Sequence, residues 1–363
     1  MRRRSRFLNA VTLLFVWLVA CSQAGMMYGG GPGTTKNEKG KSPGPPGGLV
    51  DDDYRVDLLW LNEPGDYGPG EYGRWLGKSQ GRDRFYIFHV PKGYKKGTPM
   101  PVVMVLHGGG GNPGVARFQS GMSDVADREN FIALYPAATN ATYTDRLLYW
   151  NAGMTPKDKR QKDIDDVAYF NAVLDDLPKW FTIDPKRIYA TGISNGAHMS
   201  YRLGTQLSNR IAAFAPVAAQ RAVGEFYGPP PRPVSLIVFH GRKDGYLPYD
   251  GGPTYKSAFE DEMFKPEQEC IQTWAKHDGC EGAPATETKG NAHLQAWGGC
   301  KDGSEVELWT LDDGGHTWPG GKVTKLEAKG GIVPNPRASV GPVNKDINAS
   351  QLMWEFFKRH PLP

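Results

Sequence analysis

The stretch Gly192-Ile193-Ser194-Asn195-Gly196 constrains this chain more than any other. The apolar run Arg187-Ile188-Tyr189-Ala190-Thr191 precedes it and reads as a short buried strand. Ala197-His198-Met199-Ser200-Tyr201-Arg202-Leu203 follows, and reads as a helix burying Met199 and Leu203 four residues apart. G-x-S-x-G between a strand and a helix is the pattern of a nucleophile elbow. A serine on so sharp a turn is pushed out of the fold, and the flanking glycines remove side chains that would clash. With 46 glycines in the chain, the five residues alone would also fit an ordinary turn. The rest of the sequence has to decide.

Three further stretches decide it. After the apolar run Pro101-Val102-Val103-Met104-Val105-Leu106 comes His107-Gly108-Gly109-Gly110-Gly111-Asn112. A glycine loop there leaves backbone amides bare, so Gly109 can join Asn195 in holding the oxyanion of a tetrahedral intermediate. After Ser235-Leu236-Ile237-Val238-Phe239 comes a loop carrying Asp244, at the end of a strand and placed to orient an imidazole. After Val306-Glu307-Leu308-Trp309-Thr310 comes Asp313-Gly314-Gly315-His316-Thr317-Trp318, too glycine-rich for His316 to be a core position. The chain order Ser194, Asp244, His316 is that of the α/β-hydrolase triad. Trp318, two residues past the histidine, reads either as a wall of the substrate pocket or as a core residue. His198 reads as a packing histidine rather than a second base.

Strands alternate with helices along the whole region. Arg84–Val90 alternates, Phe131–Pro136 is a short strand, and apolar residues from Val167 to Phe181 recur at helical spacing behind Asp163 or Asp165 as a cap. A last helix covers about Ser350 to Arg359. The expectation is an α/β fold with a mostly parallel sheet and helices on both faces. Asp163, Asp165 and Asp166 are explained by capping and no histidine cluster adjoins them, so neither a metal nor an organic cofactor is implied.

The segments V-V-M-V-L-H-G, D-D-V-A-Y-F, I-D-P-K-R-I-Y-A-T-G-I-S-N-G, F-H-G-R-K-D-G-Y-L-P-Y and G-G-H-T-W-P-G resemble the polyhydroxybutyrate depolymerase-like esterases, which are related to feruloyl and acetylxylan esterases. The resemblance spans roughly residues 84 to 320. It implies Ser194, Asp244 and His316 as the triad, with Gly109 and Asn195 as the oxyanion hole. A cysteine often follows the H-G pair in the polymer depolymerases of that family, whereas this chain has Gly109. That departure favours a smaller or soluble ester. The substrate classes it leaves are a small ester, a hydroxyalkanoate oligomer and an esterified polysaccharide. A protein that keeps the fold to bind an ester or glycan without turning it over is the alternative, and an intact Ser, Asp and His argues against it.

Charge excludes one class of partner. Residues 1–49 hold seven lysines or arginines against Glu38 alone, an excess of six that outweighs the +4 of the whole chain and leaves the remainder net −2. The basic isoelectric point therefore makes no case for nucleic acid. Residues 1–20 read as a signal peptide, with Arg2, Arg3, Arg4 and Arg6 before an apolar stretch too short to span a bilayer. Leu18-Val19-Ala20-Cys21 resembles a bacterial lipobox, which implies lipid anchoring at Cys21, in the outer membrane on the strength of Ser22; ordinary secretion is the other reading. Residues 21–50 read as a Gly/Pro-rich tether and 51–363 as the catalytic domain. The segment from Asp51 to Gly81 shows no usable periodicity.

Outside the cytoplasm disulfides persist. Pro266 to Asp278 reads as a helix with Cys270 on its apolar face. That helix would hold the Cα atoms of Cys270 and Cys280 about 15 Å apart, beyond the reach of a bridge. The expected pair is Cys280 with Cys300, leaving Cys270 a buried thiol.

Overall fold

The computed structural model describes residues 57–139, 148–153, 163–253, 263–324 and 340–363. The expected signal peptide, the tether and Cys21 lie outside them. All the described residues belong to the unit Ser42–Pro363.

The centre of the sheet is made from the most apolar runs in the sequence. Strands β4 (Met100–Leu106), β5 (Ile132–Pro136), β6 (Ile183–Ile193), β7 (Ala213–Val217), β8 (Ser235–Gly241) and β13 (Val306–Leu311) lie in the order β5-β4-β6-β7-β8-β13, every neighbour pair parallel. Strands buried on both faces read as unbroken hydrophobic runs, and these do. Further strands extend both edges. β1 (Leu59–Trp60), β2 (Gly70–Ser79) and β3 (Arg82–Val90) lie beyond β5, and β11 (Ala285–Lys289) and β12 (Ala292–Trp297) lie beyond β13; all of these pairings are antiparallel except β1 with β2, which is parallel. A separate antiparallel pair joins β9 (Gly252–Pro253) to β10 (Met263–Phe264).

Helices cover both faces, and β6 shows how the sequence assigns them. Tyr189 stacks on Phe357, ring centroids 4.7 Å apart, and Thr191 Oγ1 lies 3.4 Å from Met353 Sδ, so alternate residues face α6 (Ala349–Phe357). Gly192 faces the other way, onto α4 (Asn195–Gln206). On the face with α6 lies α2 (Met122–Glu129), preceded by α1 (Pro113–Ser120); Trp354 of α6 stacks on Phe131 and donates to Glu129 at 2.8 Å. On the face with α4 lies α5 (Glu267–His277), whose Trp274 stacks on Tyr201. This is the α/β-hydrolase fold that the sequence led us to expect.

The segment without periodicity became β2, and a bulge between Trp75 and Gly77 is the reason its alternation is unreadable. Its Arg74 pairs with buried Asp176 of α3 (Asp166–Asp176) at 2.9 Å, and Tyr86 and Trp180 donate to the same carboxylate. Asp165 caps α3, accepting from the Ala168 amide at 2.9 Å. Asp166 does something else: it forms a buried ion pair with Arg84 at 2.5 Å and accepts from the Asn151 amide at 2.7 Å.

Cys280 and Cys300 are bridged, and Cys270 is a buried free thiol on α5. The bridge closes a loop with a sequence separation of 20 residues. By loop entropy it contributes about 3 kcal/mol. Cys280→Ser/Cys300→Ser should therefore unfold at lower denaturant, and non-reducing peptide maps should show no cross-link to Cys270. A Cys270 cross-link, or an unshifted midpoint, would contradict this.

Candidate active site

The elbow is built by close approach. Ser194 has φ +57° and ψ −120°, a region a non-glycine residue enters only under constraint. The constraint is visible on either side. A Cβ on Gly196 would lie 2.4 Å from Leu106 O and 2.6 Å from His107 O, and one on Gly192 would lie 2.7 Å from the carbonyl carbon of Gly196. Only glycine lets α4 begin this close to β4, and the turn from β6 into α4 throws Ser194 outward. The Ser194 amide is tied to Val217 O at 3.0 Å. Its hydroxyl has no hydrogen-bond partner among the described residues.

The oxyanion loop follows β4 and is locked by its histidine. His107 is fully buried, accepts from the Ala138 amide at Nε2 (3.2 Å) and donates from Nδ1 to Gly108 O (2.8 Å). Burial pushes its pKa down to about 4, in keeping with this neutral tautomer. Within the loop, the Gly110 amide donates to Leu148 O (2.7 Å) and the Gly111 amide to Gly108 O (3.0 Å). The amides of Gly109 and Asn195 have no partner among the described residues. A Cβ on Gly109 would lie 3.5 Å from Asn195 Cβ, so these two uncommitted donors are neighbours.

Asp244 and His316 end two adjacent strands, β8 and β13, and they meet. His316 Nδ1 lies 2.7 Å from Asp244 Oδ2. The other carboxylate oxygen accepts from the amides of Tyr246 and Leu247, both at 2.8 Å. Burial would raise the pKa of Asp244. The positive charge of His316 and hydrogen bonds from His240 and His316 outweigh burial and hold it well below the ordinary carboxyl range. Tyr246 packs on the His316 ring, centroids 5.2 Å apart. Ser194, Asp244 and His316 thus all follow the C-terminal ends of parallel strands, β6, β8 and β13.

Sequence reasoning missed a second imidazole. His240 Nε2 faces Leu247 O at 2.9 Å, an acceptor only, and Asp244 Oδ2 at 3.4 Å, so Nε2 carries a proton. Its Nδ1 lies 2.6 Å from Glu267 Oε2, and both side chains are fully buried. Burial disfavours the imidazolium, but the hydrogen bonds and charges of Asp244 and Glu267 prevail and raise His240 to about 10. The signal was in the motif F-H-G-R-K-D: a histidine four residues before the aspartate.

Two other expectations resolve here. Trp318 is 2% exposed, belongs to the core and donates from Nε1 to Ser350 Oγ at 3.0 Å. With its polar edge and faces taken up by packing, it sits in the core, which favours the second of the two readings the sequence left open over a wall of the substrate pocket. His198 is buried and stacked on Phe264, ring centroids 5.5 Å apart, as a packing histidine would be.

No protein-family model matches the chain. Individual proteins do. Feruloyl esterase B of Piromyces equi is 35% identical over 164 residues, covering 44% of this chain and 30% of that protein. The bifunctional acetylxylan esterase/xylanase XynS20E of Neocallimastix patriciarum is 26% identical over 240 residues, 66% of this chain and 32% of that protein. The chain thus spans about a third of the length of these two relatives. Among solved structures, an acetyl xylan esterase from Aspergillus awamori aligns with 17% identity and a TM-score of 0.48, over 68% of this chain and 94% of that one.

His240 generates a pH prediction. A folded-state pKa raised from 6.5 to about 10 gives a contribution that is complete below about pH 6.5 and is lost as pH rises through about 10. His240→Ala should lower stability at pH 6, because a buried carboxylate left without its cation typically costs about 3–5 kcal/mol. The deficit should shrink by pH 10. Urea unfolding of both proteins across that range measures it, and a pH-independent difference would refute a doubly protonated His240.

Proposed function

We propose that the protein is an extracytoplasmic serine hydrolase of carboxylic esters. One observation carries the reading: at the C-terminal ends of the parallel strands, an outward-thrown Ser194 adjoins two uncommitted amides, and His316 is oriented by a buried Asp244. His316 Nδ1–H donates to Asp244, which leaves Nε2 to accept the proton of Ser194 Oγ. The serine oxygen attacks the ester carbonyl, and the amides of Gly109 and Asn195 receive the developing oxyanion. His316 returns the proton to the leaving alcohol. Water then repeats the sequence on the acyl-enzyme and releases the acid. No step calls on a metal or an organic cofactor.

The relatives' names, feruloyl and acetylxylan esterase, support an ester carried on a polysaccharide. A hydroxyalkanoate oligomer, the substrate of the resembling depolymerases, is the competing choice. Kinetics on acetyl, butyryl, hydroxybutyrate and feruloyl esters separate them. The Cys280–Cys300 bridge supports a location outside the cytoplasm. The Leu18–Cys21 lipobox supports a lipid anchor, and equal membrane retention of Cys21→Ala would rule the anchor out.

Ser194→Ala should fold normally and lose turnover by on the order of 10⁶. It should also lose labelling by a fluorophosphonate probe, which would mark the intact protein. An alanine variant retaining a tenth of wild-type turnover would refute the mechanism. An intact protein that binds esters yet takes no label would favour the non-catalytic alternative.

A further inference from the structure

Residues 148–153 form a short stretch bound to the site by a set of contacts that the reaction itself does not use. Asn195 Oδ1 accepts from the Trp150 amide at 2.7 Å, and Asn195 Nδ2 donates to Trp150 O at 3.1 Å. One carboxamide thus pairs with both backbone groups of one residue, much as a strand neighbour would. Trp150 Nε1 donates to His107 O (3.0 Å), and Leu148 O accepts from Gly110 (2.7 Å). Both neighbours of Tyr149 are therefore pinned, one to the elbow and one to the oxyanion loop.

Tyr149 itself lies where Gly109 has no side chain. A Cβ on Gly109 would lie 2.7 Å from Tyr149 Cε1 and 3.0 Å from Cδ1, while Asn195 Cβ would be 3.5 Å away. The ring therefore borders the space between the two oxyanion amides. Gly109 has no positive φ, so its backbone would tolerate a side chain and the ring alone forbids one. The Tyr149 hydroxyl has no hydrogen-bond partner among the described residues.

The sheet order says which part of an ester meets the ring. Gly109 follows β4, Ser194 follows β6 and His316 follows β13, in the order β4-β6-β7-β8-β13. The leaving alcohol must lie beside His316, which protonates it. The carbonyl oxygen turns to the amides of Gly109 and Asn195, and the acyl group, the remaining substituent of the carbonyl carbon, passes beside them against the Tyr149 ring that borders Gly109. We infer that Tyr149 is the wall of the acyl pocket and limits the acyl groups accepted, and that the Asn195 side chain is the positioning group that holds it there. The inference rests on the proposed esterase activity.

The test compares kcat/KM for p-nitrophenyl octanoate and p-nitrophenyl acetate, which share an alcohol. Tyr149→Ala should raise the octanoate-to-acetate ratio at least tenfold, while Tyr149→Phe, which keeps the ring, should hold the wild-type ratio. Tyr149→Leu carries the same test if the alanine variant fails to fold. Asn195→Ala keeps the backbone amide and frees the loop, so it should move the ratio in the same direction. A merely structural Asn195 would lower Tm and leave the ratio alone. Gly109→Ala should lose activity on acetate at least tenfold and recover most of it in Gly109→Ala/Tyr149→Ala. A ratio within twofold of wild type in Tyr149→Ala, or no recovery in the double variant, overturns the inference. Absence of any wild-type turnover would instead sink the esterase reading.

Discussion

The approach of α4 to β4 is the contact on which the site depends. Gly196 stands where any larger residue would collide with Leu106 O and His107 O. Because the helix starts that close, the chain has no room to leave β6 gradually, and Ser194 takes a left-handed φ as the only way to connect them. The same proximity puts the first amide of α4 next to the loop that follows β4. Nucleophile and oxyanion donors are thus consequences of one packing distance. Strain of this kind costs on the order of 1–3 kcal/mol and persists because the surroundings over-determine it.

Those surroundings are rich in buried charge. Arg84 and Asp166, His240 and Glu267, and Arg74 and Asp176 each bring ionisable groups out of water. Such pairs are weak sources of net stability, since desolvation offsets most of the attraction. What they supply is position. Asp166 ties β3 to the 148–153 stretch through Asn151, and Glu267 fixes the imidazole that flanks Asp244. A hydrophobic replacement of equal volume would hold α3 or α5 to the sheet. It would not tell the backbone of residue 151 or the carboxylate of residue 244 where to stop.

The centre of the fold was legible because its strands are buried on both faces. Val102 to Leu106 and Leu236 to Phe239 are unbroken apolar runs of strand length, and the glycine turns after them marked the site. Legibility failed where local rules conflict. β2 carries a bulge that reverses its alternation midway, and β7 is Ala-Phe-Ala-Pro-Val, with a proline and two alanines in a central strand. Pro216 is tolerated near the end of the strand's pairing, opposite Gly192, where the elbow is about to begin. Trp318 was ambiguous for a different reason: proximity in sequence to His316 says nothing about which way an indole points. The Tyr149–Gly109 contact was invisible because it joins residues 40 apart, and no periodicity encodes it.

Asn195 brings these levels together. Its amide is one of the two uncommitted donors beside Ser194, and its side chain engages the backbone of Trp150. A residue immediately after a strained serine has little freedom, because its φ and ψ must start a helix. That rigidity is what makes it useful at both ends: a carboxamide on a fixed Cα can hold a loop to within hydrogen-bond tolerance. The elbow's strain, the helix start and the position of residues 148–153 are then one mechanical unit. Ser194 stands half-buried at the turn and the Tyr149 ring borders Gly109, so the geometry that thrusts out the nucleophile also fixes the neighbour a bound carbonyl would meet.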